Sequence, residues 1–106
     1  MKEVTKDWLE NGEDHSFYLI GEESERQNYY PAIIGIAKDN SHVAYSRERL
    51  IACFMVVNDW QYYEAEEWID FNVERALPYY GAKAPVILDV DYIGSRNKKY
   101  KSIIVV

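Results

Sequence analysis

Cysteine is nearly absent from this 106-residue chain, where Cys53 is the only one. No intrachain disulfide can form, and a lone cysteine within LIACFMVV (Leu50 to Val57) reads as a small buried hydrophobe of a reducing compartment. That eight-residue stretch is the longest apolar run, too short to cross a bilayer. The opening MKEVTKDWLENGEDH lacks the apolar segment of a secretory leader, so a soluble cytoplasmic protein without membrane contact is expected. With only three prolines and five glycines there is no linker, and residues 1–106 are expected to form a single domain. Catalytic signatures are missing as well: there is no Gly-rich phosphate loop, G-x-S-x-G, C-x-x-C or H-E-x-x-H. His15 and His42 have no partner at metal-ligand spacing. A non-enzymatic protein without a cofactor is therefore expected.

What the chain does have is rings and acids. Ten tyrosines, three tryptophans and three phenylalanines make up 15% of it, enough to enlarge a small core or to supply contact residues outside it. The net charge of −6 is unevenly spread. Residues 59–77 hold six acids against Arg75, while residues 78–106 hold five bases against Asp89 and Asp91. An acidic middle repels a phosphate backbone, so direct nucleic-acid binding is not expected there. The basic stretch RNKKYK (Arg96 to Lys101) reads as a solubilising hairpin tip.

Patterning predicts a short helix over residues 3–10, closed by Asn11-Gly12, then strands at 15–21, 29–37 and 42–45. The 29–37 run is almost continuously apolar, as in a strand buried on both faces. Ser46 is placed to cap a helix over Arg47 to Asn58. A second helix runs from about Tyr62 to Leu77, where Pro78 should stop it. Strands at 84–93 and 100–106 complete an α+β fold. Its mostly antiparallel sheet of four to five strands is covered on one face by two central helices, with a short helix at the N-terminus. The final SIIVV reads as an edge strand, through which a homodimer could form.

At 100° per residue, Tyr62, Ala65, Ile69, Asn72, Val73 and Ala76 share the inward side of the second helix. Glu64, Glu67, Phe71, Glu74 and Arg75 face out, with Trp68 at the boundary; Arg75 is within reach of Asp70 or Glu74. The expected contact face consists of Glu64, Glu67, Asp70, Phe71 and Glu74, with Tyr62, Tyr63 and Trp68 as aromatic anchors for a partner with a basic site. Two alternatives are a homo-oligomer of structural or regulatory role and a metal-dependent enzyme. The latter would use Asp89 and Asp91, alternating on one strand face, with a further carboxylate.

The string YYEAEEWIDFNVERALPYYGAKAPVIL, preceded by YYPAIIGIAKDNSHVAYSRERLI, resembles a family of short proteins from bacteriophages, prophages and related mobile elements. The shared pattern is roughly E-A-x-E-W/Y-I-D-Y/F-N-x-x-R-A-L-P-Y-x-G followed by A-P-I-I, and the resemblance spans about residues 29–88. It implies a small α+β unit and no inherited catalytic residue. Gln61 and Tyr63 depart from the Ser or Thr cap and the Glu of the pattern, and the segment after Asp89 extends beyond it. Together with the acidic helix, the resemblance implies a protein that binds and blocks a host protein in the host cytoplasm. An anti-defence role of the anti-CRISPR kind, against nucleic-acid-handling machinery, fits that expectation.

Overall fold

The computed structural model describes all residues from Met1 to Val106. Strand β1 (Lys2–Val4) leads into helix α1 (Lys6–Asn11), whose first turn is capped by the Thr5 hydroxyl accepting from the Trp8 N–H at 3.0 Å. A 3-10 segment (Arg26–Ala32) precedes β2 (Ile33–Ala37), and β3 (Val43–Ser46) runs directly into α2 (Arg47–Asn58). Helix α3 (Tyr62–Trp68) continues as a π-helical stretch (Ile69–Val73) and then as 3-10 turns (Glu74–Lys83) broken by a kink at Gly81 (φ 71°). Strands β4 (Val86–Leu88) and β5 (Tyr100–Val105) follow.

The fold is α+β, with a five-stranded sheet in the order β1-β5-β2-β3-β4. The sheet is mixed rather than mostly antiparallel: β2 pairs antiparallel with β3 and β5, while β1 runs parallel to β5 and β4 parallel to β3. A parallel β3–β4 pair requires a crossover, and α2 and α3 form it. One sheet face, with Ile36, Val43, Tyr45 and Ile103, packs on Leu9, Leu50, Ile51, Phe54, Ala65 and Ile69 of the three helices. The other, with Ile34, Ala37, Ala44 and Tyr100, is covered by Ile93 from the long β4–β5 connection. All five residues of β2 are buried, as its unbroken apolar run predicts.

Several expected elements are corrected. Residues 15–21 are not a strand. The Ile20 N–H donates to the hydroxyl of fully buried Tyr45 at 3.0 Å, so a side chain takes the place of a ladder partner. The region is held instead by His15, which stacks on Phe17 and lies tilted against Trp8, at centroid distances of 4.1 and 4.2 Å. Tyr29–Ala32 wind as 3-10 turns before β2 begins, and residues 89–93 leave the sheet after Leu88. Pro78 does not stop the helix, because the run has already tightened into 3-10 turns around it. SIIVV is no outer strand: β5 lies inside the sheet, and β1 and β4 are at its edges.

A candidate acidic and aromatic binding site

Ser46 sets the geometry of the site. Its hydroxyl accepts from the Arg49 N–H at 3.3 Å, capping α2, and donates to Asp91 Oδ1 at 2.9 Å. This fixes the direction of α2 and hence the position of Arg47 in its first turn. At its far end α2 closes on Asp59, which adopts a left-handed conformation (φ 55°). The N–H groups of Asp59 and Trp60 both donate to the Met55 carbonyl. That turn lays Trp60 beside Trp68 of α3, with ring centroids 5.5 Å apart and planes tilted by 52°. Gln61 begins α3 although it is not a Ser or Thr. Its N–H donates to Glu64 Oε1 at 3.1 Å, and the Glu64 N–H returns to the Gln61 carbonyl at 3.1 Å.

The acids of this helix divide into two sets. Glu66, Asp70 and Glu74, spaced four apart, form one row on the side facing α2. All three reach the Arg47 guanidinium, at 3.4, 2.9 and 3.5 Å. Burial pulls the Arg47 pKa down, but the surrounding carboxylates outweigh it and leave the pKa raised, so the cation is fixed. The expected single outward acidic face is thus corrected: Asp70 and Glu74 turn to Arg47, and Arg75 pairs with neither. Its guanidinium instead lies over the Phe71 ring, 4.6 Å from the centroid. Tyr62 is also engaged, donating from its hydroxyl to Glu48 at 2.8 Å, which raises its pKa. Tyr63 is exposed, away from the cleft.

The second set is Glu64 and Glu67. They line a shallow cleft of about 420 Å³ together with Trp60, Trp68, Phe71 and Asn72. Glu67 makes no hydrogen bond or ion pair within the chain. Trp68 and Phe71 are 44% and 51% exposed, an unusual state for large rings placed side by side. Asn72, expected inside, is at the surface, because the i→i+5 winding of residues 69–73 shifts the helix phase after Ile69. Four expected contact residues, Glu64, Glu67, Trp68 and Phe71, are therefore brought together. Trp60 joins them from outside the helix; its sequence signal was an aromatic two residues before the helix start.

Asp89 and Asp91 gather no third ligand. Asp91 is held by Ser46, and no group of three His, Cys, Asp or Glu side chains is arranged to hold a metal ion. Cys53 is half-buried, and burial pushes its thiol pKa up, away from nucleophilic character. No helix is long and apolar enough to cross a membrane. No family model, curated protein or solved structure matches the chain.

Proposed function

We propose that this chain is a non-enzymatic binding protein that takes a lysine or arginine side chain of a protein partner into the Trp60–Trp68–Phe71 cleft. The observation that carries this reading is the pairing of exposed ring faces with two carboxylates that have no cation of their own. Ring faces attract a cation through their quadrupole, and desolvation strengthens the attraction. Glu64 and Glu67 add the opposite charge, which steers the encounter and fixes register. The chain already uses the same chemistry within the cleft, where Arg75 covers one face of Phe71. The resemblance to mobile-element proteins adds the class of partner: a host protein with a basic site, such as one that handles nucleic acid, which the bound protein would block.

The test is capture of partners from host lysate by the wild-type chain, by Trp68→Ala and by the double variant Glu64→Gln/Glu67→Gln, across a salt series. A partner bound through the cleft is retained by the wild type, released as salt rises and lost from both variants. A partner that both variants hold at every salt concentration overturns the reading.

A further inference from the structure

The largest cavity in the molecule is not at the acidic helix. Pairing between β2 and β5 ends where Gly35 faces Ser102, and β5 continues as Ile103–Val105 paired only with β1. On the opposite side of β2, its pairing with β3 shifts register between Ile33 and Gly35, where the strand emerges from its 3-10 segment. β2 and β5 are unpaired beyond Gly35 and Ser102, and a cavity of about 580 Å³ is lined there by Ile33–Ile34 and Ile103–Val105. Its volume lies in the range of small-molecule sites, roughly 300–1,000 Å³.

Its polar lining is selective. Lys6, at the start of α1, and Arg49, in the first turn of α2, both face the cavity. The chain's ion pairs all involve Arg26 or Arg47, so neither Lys6 nor Arg49 has a carboxylate partner. The one acid in the lining, Asp91, accepts a hydrogen bond from the Ser46 hydroxyl and keeps its charge, so the lining side chains set two cations against one anion. In a chain of net charge −6, the largest cavity thus combines an apolar floor with two unpaired cations. We propose that it binds an amphipathic carboxylate, with the apolar tail against Ile34 and Ile104 and the carboxylate on Arg49 and Lys6. Arginine suits this role because its planar fork meets a carboxylate with two parallel hydrogen bonds. The site is independent of the Trp60–Trp68–Phe71 cleft.

The probe is octanoate, titrated into the full chain while backbone amide chemical shifts are followed. Octylammonium, with the same tail and the opposite charge, is the comparison. Saturable shifts at Ile34, Ser102 and Ile104 are expected with octanoate and not with octylammonium. Arg49→Gln and Lys6→Gln should each weaken octanoate by about tenfold or more, the loss of at least one charged hydrogen bond. Both side chains are exposed, so these variants should retain the wild-type melting temperature. The proposal is overturned if octanoate leaves those amides unmoved, if octylammonium moves them equally, or if neither variant changes the affinity. Because the amides report position, binding of octylammonium in the aromatic cleft is read separately.

Discussion

Glu66, Asp70 and Glu74 differ from Glu64 and Glu67 by a few positions on one helical run, yet the two sets end in opposite situations. The first row is clasped by one arginine from α2 and serves the fold. The second pair lies beside Trp60, Trp68 and Phe71, and Glu67 is left without a cation. The difference teaches that a run of acids has no single role. Each carboxylate takes its meaning from what a neighbouring element places opposite it, and here α2 supplies a cation to one side only.

The largest effect should come from breaking the clasp. Arg47→Met leaves three carboxylates converging without a cation, and a loss of about 1–3 kcal/mol in chemical denaturation is expected, tempered by the partial exposure of the acids. Arg47→Lys should recover only part of this, since an ammonium lacks the guanidinium's fork. Neither change should alter partner capture. Trp68→Ala should do the reverse, weakening partner binding by about 2 kcal/mol, the scale of an aromatic anchor, with a smaller effect on the melting temperature. If Arg47→Met abolishes binding while leaving stability intact, the assignment of the two sets is inverted.

A pH series sharpens the contrast from the opposite sheet face. His42 is buried, its Nε2 2.9 Å from the Tyr100 hydroxyl and its Nδ1 2.9 Å from Ser41 Oγ. Burial first, and Lys99 second, lower its pKa below the ordinary value of 6.5. The unfolded chain therefore takes up the proton more readily. Stability should be level above the unfolded pKa and should fall as pH drops from there through the folded pKa. His42→Gln should flatten that limb in urea melts recorded between about pH 5 and 8, the range in which histidine changes charge. The smallest effect is expected at Asp59, whose left-handed backbone suits glycine. Asp59→Gly should raise stability by about 0.5 kcal/mol, provided the turn still brings Trp60 to Trp68.

Much of the fold was legible from local pattern. The α+β class, the span of α2, its Ser46 cap, the doubly buried β2 and the final strand follow from periodicity and capping chemistry, which act over a few residues. The misses share one cause. The segment 15–21 reads as a strand by alternation, but its Ile20 N–H is satisfied by Tyr45, 25 residues away. Asn72 reads as inward at a constant 100° per residue, and the change to π winding after Trp68 moves it out. At the site, Glu64, Glu67, Trp68 and Phe71 were readable as outward-facing or boundary residues. Trp60 was not, because a turn beyond the helix places it.

By itself the sequence determined the composition of the acidic helix, its aromatic neighbours and the class of the fold, since propensity, capping and hydrophobic period are local quantities. Only the tertiary structure decided which acids are neutralised, which rings meet, and that β5 lies between β1 and β2. Those outcomes depend on pairings between residues far apart in the chain, such as Lys2 opposite Ile103 or Arg47 against Asp70. The sequence spacing of charges and rings carries no information about what will be folded against them.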